Sequence, residues 1–397
     1  MAKKYPFGAW VYNPITDFTP DEVDVWADMG LTCTMAGIIS GPKDYDLFRQ
    51  FLDRAQARGI KLIGWVNSIT YYAAGNLTEE EYEARFTEVY NALKHPALHG
   101  FFVADEPNNP KQVETIKLCL KVQRQVAPEL TPFINLMGSS YTLRGLHPDK
   151  SYNDFIKDLV EDTNMPSFCF DEYSQSINDG GVTLYYKTFK GQCDAAQYAD
   201  TDIWATLLSS AHHVYRIPTE YQFTWQITMS AAFGCKGIIW FRLYDRDISP
   251  NYHGSPIDEY GDKTEQYDML KRCHRRFNDQ FGEIMLGLKR KKTFIVGFQR
   301  GDWPIFSSKS HDCIKAVRSF ENGVISFFED ENGVEYMCFV NAQMDRIGHY
   351  VFEVDTSKYK LTELLLNGKL QSPADFSEHN GVLLNPGQMV LYRIDKK

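Results

Sequence analysis

The chain has 397 residues, a formal charge of -10, a pI near 5.5 and 14% aromatic residues. That length argues for a large domain with a smaller companion, and the acidic balance argues against nucleic acid and anionic membrane surfaces as partners. Cys33, Cys119, Cys169, Cys193, Cys235, Cys273, Cys313 and Cys338 form no CxxC pair, so scattered reduced thiols are expected, with no metal and no cofactor.

No apolar run reaches the length of a membrane span. The N-terminal MAKKYPFG lacks the apolar core of a secretory signal. A cytoplasmic location is therefore expected, or a secreted or periplasmic one if a leader has been removed.

Across residues 1–290 short apolar runs alternate with amphipathic segments. The runs are YPFGAWVYN (5–13), LTCTMAGI (31–38), KLIGWVNS (61–68), LHGFFVADE (98–106), TPFINLMG (131–138), PSFCFDEYS (166–174), DIWATLLSS (202–210) and GIIWFRLYD (237–245). Helix-start signatures fall between them: Thr19 with Pro20 and Glu22, Thr78 with Glu81, Asn109 with Pro110 and Gln112, and Thr219 with Gln222. Eight such units in order are what a (β/α)8 TIM barrel requires. No glycine-rich phosphate turn follows an early run, which argues against a doubly wound open sheet.

From residue 291 to 397 the texture changes to short alternating runs with Asn-Gly at 322–323, 332–333, 367–368 and 380–381. These are hairpin signals, and a small C-terminal antiparallel β-sandwich is expected. The basic run KRKK at 289–292 reads as a solvated linker.

In such a barrel the C-terminal strand ends form the active-site mouth. Strand four ends in Asp105 and Glu106, strand six in Asp171, Glu172 and Tyr173. Strict alternation turns Phe102, Ala104 and Glu106 inward on strand four, and Cys169, Asp171 and Tyr173 inward on strand six, with Glu172 the substitute if a bulge intervenes. On strand eight it turns Trp240, Arg242 and Tyr244 inward. Two carboxyl groups across a mouth are what glycoside hydrolysis uses, at separations of roughly 5 to 9 Å. Trp10, Trp65 and Trp240 are candidate platforms for sugar rings, and Asn67 and Asn135 candidate hydroxyl ligands. Asp245 and Asp247 read as a solvated loop.

The ADEP end of strand four, the FGAW first strand, the FDEYS sixth strand and RIPTEYQFTWQITMSAAFGCKGIIWF (216–241) together resemble clan A glycoside hydrolases, the assembly of β-galactosidases and cellulases. At the level of pattern the resemblance takes in most of the chain, but only the DEP stretch is specific. It implies a TIM barrel acting on O-glycosidic bonds, with Glu106 as general acid/base and Asp105 where the clan has a sugar-binding Asn.

One departure matters. The clan's nucleophile is a Glu ending strand seven, where this chain offers Ser209, Ser210, His212 and His213. Asp171 or Glu172 is then the nearest replacement, a pairing of strands four and six that looks like certain α-glycosidase clans. Two alternatives accompany this reading. One is a hydrolase-like barrel that only binds glycan; the other is a metal-dependent hydrolase with His212 and His213 beside Glu106 and Asp171. A carbohydrate is the expected partner in the first two cases.

Overall fold

The computed structural model describes residues 3–138, 146, 150–177, 180–245, 251–374 and 381–397. All eight apolar runs form parallel strands: β1 (Phe7–Ala9), β2 (Cys33–Ile39), β3 (Lys61–Val66), β4 (Leu98–Asp105), β5 (Phe133–Leu136), β6 (Ser167–Asp171), β7 (Asp202–Leu208) and β8 (Gly237–Phe241). Between and after them come α1 (Glu22–Asp28), α2 (Tyr45–Arg58), α3 (Glu79–Leu93), α4 (Pro110–Val126), α5 (Tyr152–Thr163), α6 (Gly180–Tyr198), α7 (Glu220–Ala232) and α8 (Glu265–Phe277). Strand neighbours run β1-β8-β7-β6-β5-β4-β3-β2, which rolls the sheet into a (β/α)8 barrel.

The helix starts follow the chemistry of their first residues. Thr78 and Glu81 satisfy each other's backbone N–H at 3.2 and 2.9 Å, Thr219 and Gln222 do the same, and Asn109 accepts the N–H of Gln112 at 3.1 Å. Thr19 does not cap through its side chain. Its carbonyl accepts the Glu22 N–H at 3.0 Å, and α1 begins after Asp21.

Inside the barrel Trp10, Cys33, Met35, Ile63, Phe102, Phe133, Cys169, Trp204 and Ile239 pack as one cluster, with Tyr12, Trp65 and Phe241 partly buried against it. Large rings fill the space that branched aliphatics occupy in many barrels. A second, much larger cluster lies between the strands and the helices.

Strands β1 and β2 stand at opposite ends of the sheet order and meet along a seam made largely by side chains. The Thr32 hydroxyl accepts the N–H of Phe7 at 3.0 Å, and the Thr34 hydroxyl accepts that of Ala9 at 3.0 Å while donating to the Ala9 carbonyl at 3.3 Å. Backbone bonds from Thr32 to Phe7 (2.8 Å) and from Ile38 to Asn13 (2.8 Å) flank them. Gly8 permits this approach, because a Cβ there would lie 2.2 Å from the Cys33 carbonyl oxygen.

The C-terminal region is a β-sandwich. Its strands are β9 (Lys289–Val296), β10 (Ile314–Arg318), β11 (Gly323–Glu329), β12 (Glu335–Asn341), β13 (Gly348–Val354), β14 (Tyr359–Leu365), β15 (Leu370–Pro373), β16 (Val382–Leu384) and β17 (Met389–Lys396). They form sheets β9-β11-β12-β17-β14-β15 and β10-β13-β16. The larger sheet is buried on both faces. Ile325, Phe327, Met337, Phe339, Val390 and Tyr392 face the smaller sheet, while Val324, Phe328, Cys338, Val340 and Leu391 join the barrel's outer core.

The Asn-Gly signals divide. Asn332-Gly333 turns β11 into β12, and Asn367-Gly368, both with positive φ, turns β14 into β15. Asn322-Gly323 links strands of different sheets, and Asn380 lies outside the described residues. KRKK is strand rather than linker. It opens β9, where Arg290 is buried against Asp194 of α6 at 2.7 Å and its guanidinium lies 5.5 Å from the Trp303 ring centre. Among the described residues no helix is long and apolar enough to cross a membrane.

Thr34→Val keeps side-chain volume but strips the seam of its hydroxyl, leaving the Ala9 amide and carbonyl short of partners. We expect a loss of about 1–3 kcal/mol, read as a lower urea midpoint at unchanged slope; an unchanged midpoint would show that the seam does not need this hydroxyl.

Candidate active site

Strand β4 carries a bulge between Phe102 and Ala104 in its register with β5. The extra residue leaves Val103 on the helix side, moves Ala104 there beside it, and brings Asp105, rather than Ala104 and Glu106, into the inward alternation opposite Asn135. Glu106 follows in the left-handed region with φ 44°. That conformation is uncommon for a residue with a Cβ and redirects its side chain. Glu106 is exposed, and its carboxyl comes close enough to Asp171 to bear on that group's ionisation.

Strand β6 keeps the expected alternation: Phe168 and Phe170 pack toward the helices, and Cys169 and Asp171 face in. Asp105 and Asp171 are bridged by Asn135, which is buried and donates from Nδ2 to Asp105 Oδ1 at 2.9 Å and to Asp171 Oδ1 at 3.4 Å. Asn135 Oδ1 accepts from the Thr206 hydroxyl at 3.2 Å, and Thr206 Oγ1 accepts from the Trp10 indole at 3.2 Å. Glu172 departs from this group. It is buried on the other side of the strand, near Thr188 of α6.

Strand β8 has the opposite phase to simple alternation. Ile239 and Phe241 face the interior, whereas Trp240 and Tyr244 point into the helix layer. Their polar atoms explain the choice, since a buried indole N–H or phenol needs a partner. Trp240 donates to His274 at 2.7 Å; Tyr244 donates to Glu22 at 2.7 Å and accepts from Trp26 at 2.7 Å. Neither side chain reaches the mouth. Arg242, after a cis Phe241–Arg242 peptide, is buried with its guanidinium 5.2 Å from the Tyr12 ring centre and 5.5 Å from that of Tyr252.

Trp10 is only 1% exposed and stacks beneath Tyr12 at 5.6 Å, so it is floor rather than platform. Trp65 is partly exposed beside Tyr12 and Phe102. Asn67 is exposed in the turn after β3, apart from the carboxyl network. His212 is buried among Tyr173, Tyr215, Phe241 and Tyr252. Asp245 is buried and accepts two hydrogen bonds from Ser255, at 3.1 and 2.5 Å, rather than standing in solvent; Asp247 lies outside the described residues.

Several participants escaped the sequence reading. Thr206 was visible as a lone hydroxyl two residues after Trp204 in the IWATLL run, and Tyr12 as the next inward position after Trp10. Tyr72 is 72% exposed with its ring 4.0 Å from that of Tyr71, whose phenol senses the Asp105 charge.

The electrostatics follow from crowding carboxyls where little water reaches. Burial pushes Asp105 up to about 6, helped by the Glu106 charge and opposed by the Asn135 hydrogen bond. Burial raises Asp171 well above the usual carboxylate range, and the charges of Glu106 and Asp105 add to it. Tyr12 and Tyr173 are raised by burial, with these same carboxylates contributing. Burial lifts Glu172 to about 7 and lowers His212 to about 4. No cluster of three or more metal-ligating side chains occurs among the described residues.

No protein-family model matches the sequence, and no curated protein matches it. Solved structures do. A glycoside hydrolase family 5 protein from Bacteroides vulgatus aligns over 98% of this chain and 89% of its own, at 9% identity and a TM-score of 0.58. Another structure, described as a glycoside hydrolase, aligns over 98% and 92% at 10% identity and a TM-score of 0.57. The β-galactosidase of the psychrophilic Marinomonas ef1 aligns over 68% of this chain at 10% identity and a TM-score of 0.52; the chain spans 59% of that enzyme's length. At these identities what is shared is the fold, a TIM barrel that all three hydrolases have.

Asp105 and Glu172 hold their protons to about 6 and about 7 when folded, against roughly 4 when unfolded. The folded state therefore binds extra protons in this window, and their contribution to stability is lost as pH rises through those values. Melting temperatures between pH 4 and 8 should show this fall, made shallower between about pH 4 and 6 by Asp105→Asn and between about pH 4 and 7 by Glu172→Gln; variants that parallel the wild type would contradict it.

Proposed function

We propose that the barrel mouth hydrolyses O-glycosidic bonds of an oligo- or polysaccharide with Glu106 and Asp171 as the reacting carboxyl pair. The observation that carries this reading is their convergence: side chains from two different strands, one redirected by a left-handed backbone, come together at the C-terminal end of the barrel, where the Glu106 charge raises the pKa of Asp171. Asp171, held protonated by burial and by its neighbours' charge, suits the proton donor. Glu106 then attacks the anomeric carbon or, as general base, takes a proton from the water that does. This reverses the role that the clan A resemblance gives Glu106.

A retaining pair stands roughly 5 Å apart across a sugar, and Glu106, exposed at the strand end, is the one of the two able to adjust to a substrate. Asp105 and the rings of Tyr12, Trp65 and Tyr72 supply the polar and stacking contacts that a sugar requires. Whether attack comes from Glu106 itself or from water fixes the stereochemical outcome.

The second reading is a glycan-binding barrel without catalysis, and strand seven favours it: Thr206 and Leu208 stand near its end, and no carboxylate does. Glu106→Gln and Asp171→Asn decide between them. On a panel of aryl glycosides and oligosaccharides, each should lower kcat/KM by roughly 10²–10⁴-fold with glycan affinity retained by calorimetry. Release of sugar by Glu106→Gln at the wild-type rate would sink the catalytic reading. The wild-type rate should also hold through neutral pH and fall on the alkaline side as Asp171 loses its proton.

A further inference from the structure

Beneath the carboxyls runs a chain of hydrogen bonds whose direction is dictated by its far end. The indole N–H of Trp10 can only donate, and it donates to Thr206 Oγ1 at 3.2 Å. Thr206 in turn uses its single proton on Asn135 Oδ1, also at 3.2 Å. With its carbonyl engaged from below, the Asn135 amide must present its NH2 group upward, where it meets Asp105 and Asp171 at 2.9 and 3.4 Å. The reverse orientation would set a carbonyl oxygen against two carboxyls. Trp10, Asn135 and Thr206 are all buried, so water does not compete for these groups. The Cys169 thiol touches Thr206 at 3.3 Å and completes its surroundings.

We infer that Thr206, backed by Trp10, is a positioning residue: it locks the Asn135 amide in the one orientation that gives Asp105 and Asp171 a shared donor. That those carboxyls react with a glycoside is the reading proposed above, on which the functional meaning of this role rests. Strand seven thus contributes to the mouth by a hydroxyl that acts through Asn135. The bond from Asn135 favours ionised Asp105 and opposes the burial that protonates it.

The test follows the carboxyls themselves. In protein with 13C-labelled aspartate side chains, Thr206→Val removes the donor, and the Asp105 titration midpoint should rise by roughly one pH unit. Thr206→Ser, which keeps the hydroxyl, should restore it. Trp10→Phe removes only the indole N–H and should move the midpoint in the same direction by less; it decides the matter should Thr206→Val fail to fold. In an active enzyme the acidic limb of the pH–rate profile should shift with the midpoint. An Asp105 midpoint unmoved in folded Thr206→Val, or in Trp10→Phe if that variant alone folds, overturns the positioning role whatever the protein hydrolyses. A shifted midpoint in a protein that cleaves no glycoside overturns the glycosidase reading and leaves the positioning role standing.

Discussion

Like charges crowded together above an apolar floor are the constraint around which the mouth is arranged. Asp105, Glu106 and Asp171 converge above a floor of tryptophan, tyrosine and phenylalanine rings, where each added negative charge is costly. The site answers in two ways. It keeps protons on part of the group, and it points one buried amide at two of its members. Acid chemistry at neutral pH needs that first answer; the second decides where the protons sit. The aromatic floor serves both, since it excludes water and supplies, through Trp10, the donor that orients the rest.

Much of this was legible in the sequence, and what was not has specific causes. Eight strands and most of their helices could be read because apolar runs and capping residues are local signals. The mouth was legible as a place, since strand ends in a barrel define it. Which side chains enter it was less so. In strand four a single bulged residue exchanged the faces of Ala104 and Asp105, and only a turn into the left-handed region returned Glu106 to the mouth. In strand eight the phase was set by His274, Trp26 and Glu22, partners far away in the chain that no alternation rule can see. Thr206 was passed over because a threonine in a strand is ordinary; its importance lies in what stands on either side of it.

The sandwich is part of the same construction. Its larger sheet has one apolar face for its own core and another for the barrel's helices, and Trp225 and Thr228 of α7 donate to the Ala342 and Gly387 carbonyls at 2.9 and 2.6 Å. Trp303 stacks on Phe233 at 4.6 Å and donates to the Tyr186 carbonyl at 2.8 Å. A sheet so covered is a shared wall, and the helices that bear on it also back the strands carrying Asp171 and Thr206.

The hydroxyl seam between β1 and β2 has a dynamic consequence. Elsewhere the barrel is joined by backbone ladders, which hold whatever the side chains are; along this line closure depends largely on two threonines and a glycine. Local opening in a folded protein follows the route of least free energy, and a line closed largely by side chains is a natural place for it. Trp10 and Tyr12 continue the first strand directly into the mouth. A parting of the two strands there would reach the site as a movement of its floor.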